Sequence, residues 1–279
     1  MVHNQDLPFL VINNQIDILN MEEQLRTFQF IAPSGYSYTI REENGEDEEI
    51  LSNPADAKGL MNITKFIASI VVDTDYTTRR KLSIQDALDM PLLDRYAILF
   101  QSRIFSLGEE VEFQYTWPGE SVPTYYSQDL REMLLDYSKD ITEEEINEKP
   151  NAIPFYPARE ACLELGFKGY AATLESGKQI KFDLMDGNAE KYLVTMPLEK
   201  QTRNSDLLAR NLMLLVGEKW ERVERFNLFS IKDMAEIREI VSTIDPVFTG
   251  VTDIENPRTG EKAKYSIIGA PRFFFLTEA

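Results

Sequence analysis

Forty-seven carboxylates, one histidine and one cysteine set the chemistry open to this 279-residue chain. Two acids held a few ångströms apart are the working parts of a glycosidase. With 47 of them pairs arise freely, and none falls in a pattern of special spacing. Asp186-Gly187-Asn188 offers oxygen ligands to a hard cation, but it lacks the alternating acids and distal Glu of a calcium loop. We expect this segment, and Glu43-Asn44-Gly45-Glu46-Asp47, to be solvated acidic loops. Ser-His-Asp or Cys-His catalysis would have to recruit His3, close to the first residue of the chain. A lone cysteine allows neither an internal disulfide nor a Cys/His zinc site. Cys162, in Arg159-Glu160-Ala161-Cys162-Leu163, reads as a small apolar side chain on a helix. No Gly-x-Gly-x-x-Gly run or Walker lysine provides a phosphate cradle. The expectation is a chain with no catalytic residue, no metal ligand and no cofactor.

The formal charge of −18 repels phosphate backbones, so nucleic acid is not an expected partner; a basic protein surface is. Hydrophobic residues make up 43%, enough for a packed interior. The longest strongly apolar run, Phe66-Ile67-Ala68-Ser69-Ile70-Val71-Val72, is too short to cross a bilayer, and no membrane insertion is expected. Residues Met1 to Asp6 lack the basic and apolar regions of a secretion signal, which points to use inside a cell or inside a particle assembled there.

The elements that must position any site occur twice. Ser34-Gly35 and Ser176-Gly177 each sit between alternating aromatic and polar residues, the pattern of a β-hairpin. At the same offset Gly45, Glu48, Leu51 and Asn62 fall on Gly187, Glu190, Leu193 and Asn204. Five residues further out of step, Ser83-x-x-Asp86 lies over Ser230-x-x-Asp233, acidic relatives of the capping box that opens a helix. Stripes at helical spacing predict helices over 60–72 and through Leu207, Leu208, Asn211, Leu212 and Leu215. Gly217-Glu218-Lys219-Trp220 reads as the stop of the second. Each copy closes with a second hairpin, around Trp117-Pro118-Gly119-Glu120 and around Asn256-Pro257-Arg258-Thr259-Gly260. The expected fold class is α+β in two similar domains, an internal repeat, each with a β-hairpin, two or three helices and a closing β-hairpin. The divisions are an N-terminal arm (1–22), a first repeat (23–126), a helical connector (127–165) and a second repeat (166–279).

Three apolar features stand where a lone domain would keep polar residues. Phe9 and Leu10 lie in an arm that reads equally as an edge strand of its own domain or as a strand donated to a neighbour. Trp117, at a hairpin tip, has the type of an interface anchor, although a tip can also fold back on its own sheet. Phe273-Phe274-Phe275 needs cover on both faces, from the protein's own layers or from a partner.

The stretch Asp94-Arg95-Tyr96-Ala97-Ile98-Leu99-Phe100-Gln101-Ser102-Arg103-Ile104-Phe105-Ser106-Leu107-Gly108-Glu109-Glu110-Val111 resembles the base plate hub proteins of T-even-type contractile phage tails. The Ser34-Gly35 turn with its acidic loop and Leu51, and the closing Phe273-Phe274-Phe275, are similar to the same family. Relatives often continue into a cysteine-paired tip, where this chain has Thr116-Trp117-Pro118-Gly119-Glu120 and no metal ligand. The resemblance implies a structural or assembly component acting through contacts with other tail or base plate proteins, and with further copies of itself. It would reside in the host bacterial cytoplasm during assembly and in the virion tail if it stays. The alternatives are a transient assembly chaperone absent from the finished particle and a tail-associated carboxylate hydrolase of cell wall.

Overall fold

The computed structural model describes residues 26–275. Its first hairpin pairs β1 (Thr27–Ile31) with β2 (Ser37–Arg41), antiparallel, through the turn at Ser34-Gly35. Gly35 has φ +96°, the left-handed conformation that glycine enters without steric cost. The segment expected to be an acidic loop instead opens a helix, α1 (Gly45–Ser52). Asn44 caps it, and the reciprocal Asp47 carboxylate accepts from the Asn44 N–H at 2.9 Å. Glu46, Asp47 and Glu48 thereby lie at the positive end of the helix dipole, which explains the local excess of acid.

A short turn of helix, α2 (Pro54–Ala57), leads into α3 (Met61–Ile70). The apolar run that begins in α3 then changes conformation. Val71 to Thr74 form β3, which adds to β2 and makes the sheet β1-β2-β3. Next come α4 (Ile84–Asp89) and α5 (Leu92–Leu107), separated by Pro91. Ser83 and Asp86 form the expected capping box. The hairpin β4 (Glu110–Tyr115) and β5 (Thr124–Asp129) follows. The connector holds a 3-10 turn (Leu130–Met133), α6 (Glu143–Glu148), capped by Thr142, and α7 (Arg159–Glu164). Cys162 on α7 is buried, and burial pushes its thiol up to about 11, in keeping with a packing role.

The second half runs through the hairpin β6 (Tyr170–Thr173) and β7 (Gln179–Phe182), then α8 (Gly187–Thr195), capped by Asp186. The long helix expected through Leu215 is only α9 (Ser205–Ala209). Asn211 adopts φ +53° and ends it, and Leu214 and Leu215 belong to β8 (Met213–Val216). Gly217 therefore turns a hairpin into β9 (Lys219–Arg222) and is not a helix stop. The Ser230 capping box opens α10 (Ile231–Ile244), and β10 (Val251–Glu255) pairs with β11 (Lys262–Ser266).

The protein is mixed α+β, with helices beside four small antiparallel sheets among the described residues. In outline both halves run hairpin, helix, a strand added to the hairpin, a capping-box helix and a closing hairpin, but the first half alone has the long helix α5 and the second alone extends its sheet with β9, so an internal repeat is not established. The buried apolar side chains of both halves form one cluster that reaches from Ala32 to Phe273. Direct bonds join the halves as well. The Leu92 N–H donates to the Met185 carbonyl at 2.9 Å, and Tyr96 Oη donates to Glu190 at 3.1 Å. Gly187 packs so tightly here that a Cβ would lie 2.8 Å from Arg95 and 2.9 Å from the Leu88 carbonyl.

Candidate functional site

Of the apolar features expected at interfaces, Trp117 and Phe273 are interior residues. Trp117 is 1% exposed, and its Nε1 donates to Tyr126 Oη at 2.9 Å. Tyr126 Oη in turn donates to the Glu255 carbonyl at 3.0 Å. The hairpin tip folds back because an indole cannot be buried without a partner for its N–H, and Tyr126 supplies that partner. The same contact holds the two closing hairpins together, with Phe113 stacked on Tyr265 at 4.2 Å and Glu120 accepting from Asn256.

Phe273 ends a 3-10 turn (Pro271–Phe273), is fully buried, and lies against Phe100 at 5.3 Å. Phe274 is half-buried and meets Phe66 edge-on, and Phe275 also packs on the core. Phe273 is therefore a core residue and not an interface anchor, whereas Phe274 and Phe275 are only partly buried. Phe9 and Leu10 lie outside the described residues.

A different surface carries exposed apolar groups at a backbone edge that has no partner strand among the described residues. At the two ends of β1 the Ala32 N–H donates to the Tyr36 carbonyl and the Arg26 carbonyl accepts from the Glu42 N–H. With the register Phe30 to Tyr38 and Phe28 to Ile40, the even-numbered residues of β1 bond to β2. The N–H and C=O groups of Thr27, Gln29 and Ile31 therefore point away from β2. β1 is the outer strand of its sheet, and these groups have no partner among the described residues. Phe28 and Ile31 remain 39% and 38% exposed.

Along this edge runs a groove of about 780 Å³, lined among others by Phe28, Ile31, Ile104, Leu134, Arg131 and Lys149. Arg131 is held by Asp129 at 2.8 Å. Lys149 Nζ donates only to the Leu134 carbonyl, at 3.2 Å, with no carboxylate in ion-pair range among the described residues.

A buried acid fixes the edge in place. Asp94, on α5, accepts the Ser34 N–H at 3.0 Å, the Ser34 hydroxyl at 2.5 Å and Tyr38 Oη at 3.0 Å. This ties the Ser34-Gly35 turn to the long helix. Burial pushes the Asp94 carboxyl up to about 6, against the pull of those three donors. On the other side of the hairpin Arg41 forms a two-pronged pair with Asp47, at 2.6 and 2.7 Å, which docks β2 on α1. The β1 groups were visible in the sequence as a hairpin strand, but not as a surface. Ile31, directly after Phe30, breaks the apolar-polar alternation, and that was the signal for an apolar residue on the second face.

Among the described residues no group of three or more His, Cys, Asp or Glu side chains is placed to hold a metal ion. No helix among them is long and apolar enough to cross a membrane. No protein-family model, curated protein or solved structure matches the chain.

Proposed function

We propose that this chain is a non-enzymatic component of a protein assembly and works by protein–protein contact along β1. One observation carries the reading: a strand edge whose alternate backbone groups are unpaired among the described residues lies beside a groove and exposes Phe28 and Ile31. Such an edge binds an extended segment through main-chain hydrogen bonds, with adjacent pockets for its side chains. The resemblance of the stretch from Asp94 to Val111 supports the base plate of a contractile phage tail as that assembly, with other tail proteins as partners. On this reading the chain gathers in the host bacterial cytoplasm and remains in the virion tail. The shared outline of the two halves supports duplication of one building unit.

Ile31→Lys tests the edge. The substitution sits on the exposed outer strand, so the chain should keep its stability within about 0.5 kcal/mol. Its amount in purified tail particles, counted by mass spectrometry against the other components, should fall at least about tenfold, equivalent to a loss of roughly 1.4 kcal/mol of contact. Unchanged incorporation would remove β1 from the contact. Absence of the wild-type chain from finished particles would make it a transient chaperone.

A further inference from the structure

The strand β8 lies inside the sheet β6-β7-β8-β9 and belongs to a run that is apolar throughout, from Leu212 to Val216. A strand with one face in water alternates apolar with polar residues, whereas a continuous apolar run is the pattern of a strand covered on both faces. One face of this sheet is covered: Ile180, Phe182 and Leu212 are buried in the core. On the opposite face the register places Ala171, Lys181, Met213 and Arg222 in one cross-strand row. Alternation places Thr173, Gln179, Leu215 and Trp220 in the next. Met213, Leu215 and Trp220 are only half-buried there, and Ala171, Thr173, Gln179 and Arg222 are exposed. We propose that this face is a second docking surface, independent of β1, and that its occupant is an extended acidic and apolar segment of a partner protein.

Charge selects the occupant. In a chain of net charge −18, neither row contains a carboxylate. Lys181 and Arg222 have no acid in ion-pair range among the described residues, whereas Lys168 and Lys178, beside the same hairpin, are paired with Asp186 at 2.6 Å and Asp233 at 2.8 Å. Lys181 Nζ instead lies over the Trp220 ring, 5.4 Å from its centre, and Arg222 Nη2 donates to the Leu208 carbonyl at 3.4 Å. Asp183, the next residue on that side of β7, is already engaged: it accepts the Gly169 N–H at 2.7 Å and Asn211 Nδ2 at 3.5 Å. The face therefore presents two cations around an indole, a thioether and a leucine. Trp, Met and Arg are the side chains that protein contacts favour, and an ammonium held over an indole is ordered before any anion arrives.

Size selects an extended segment over a folded surface. Four strands and two rows make a patch about 15 Å across, on the order of 200 Å². Each folded partner in a stable complex buries about 800 Å², and beyond this patch an acidic protein would meet the repulsion of a strongly negative surface. A segment of about five extended residues crosses all four strands and reaches both cations.

Selection from a random peptide library displayed on filamentous phage, with the full chain immobilised, tests the proposal. Peptides enriched on the wild-type chain should combine Asp or Glu with Leu, Ile or Phe. For one enriched peptide, made synthetically, the Kd from calorimetry should rise at least about tenfold in Trp220→Ala and in Lys181→Glu, and should rise with salt. Ile31→Lys should bind it as the wild type does, which separates this surface from β1. Circular dichroism reports that each variant is folded, and Lys181→Glu, an exchange on the solvent side of the sheet, carries the test if Trp220→Ala is not. No enrichment, enrichment of uncharged or basic peptides, or an unchanged Kd in the folded variants would each overturn the proposal. Displacement of the peptide by oligothymidylate would overturn it in favour of a nucleic acid. Self-association of the wild type that Lys181→Glu abolishes would overturn it in favour of a second copy of the chain.

Discussion

At the scale of single residues, Asp94 has the clearest measurable signature. Its folded value of about 6 lies above the ordinary aspartate range because the side chain is fully buried. A raised folded value means that the folded state holds the proton more tightly than the unfolded chain. Its stabilising contribution is therefore complete below about pH 4 and is lost as pH rises through about 6. In denaturant titrations between pH 4 and 7, Asp94→Asn should remove a loss of up to about 3 kcal/mol of unfolding free energy that wild type undergoes as pH rises. Matching slopes in the two proteins would show that Asp94 does not titrate in this window. Asp233 has the opposite sign, since Lys178 at 2.8 Å holds its carboxyl well below the usual range. The comparison of variant with wild type at each pH separates the two.

At the scale of elements, the closing hairpins and the carboxyl-terminal turn act as one packed layer. Trp117 and Phe273 are both nearly or fully buried and each meets another aromatic ring, Tyr115 at 4.9 Å and Phe100 at 5.3 Å. Truncation to alanine at either site leaves a cavity that the surrounding side chains refill only in part. Trp117→Ala and Phe273→Ala should each cost about 3–5 kcal/mol, read as a shift of the denaturation midpoint with an unchanged slope. An interface anchor would have changed assembly and left the isolated chain as stable as before. The β1 strand is the contrasting element: its outer groups lack partners among the described residues, so changes there should act on assembly.

At the scale of the whole molecule, the question is whether the two halves unfold separately. They share one apolar cluster, and Arg95, almost completely buried, reaches from α5 to Glu190 on α8 at 3.4 Å. The Leu92–Met185 backbone bond and the close approach at Gly187 add to that seam. Cooperative all-or-none unfolding is the expected consequence. The chain has two tryptophans, Trp117 in one half and Trp220 in the other, so Trp117→Phe and Trp220→Phe each leave a reporter for a single half. Normalised to each variant's own stability, fluorescence and far-ultraviolet circular dichroism should fall together in both proteins. A fluorescence transition displaced from the circular dichroism transition in either variant would identify two independently folding domains.

Local chemistry was readable from the sequence wherever it depends on neighbours in the chain. The Ser-Gly turns, the Ser83 and Ser230 capping boxes, the helix after Pro91 and the closing hairpins are all settled within a few residues, by φ preference or by a side chain reaching its own backbone. Where two conformations are locally similar in energy, the sequence left the outcome open. Leu212 to Leu215 fit a helical stripe equally well, and the pairing of β8 with β7 and β9 decided for a strand. The fate of Trp117 and of the three phenylalanines was a matter of distant partners, Tyr126, Glu255, Phe100 and Phe66, whose proximity only the folded chain creates. Composition determined that this chain would bury a core under an acidic surface. Tertiary packing decided which greasy residues were needed for that core, and so which strand edge has no partner among the described residues.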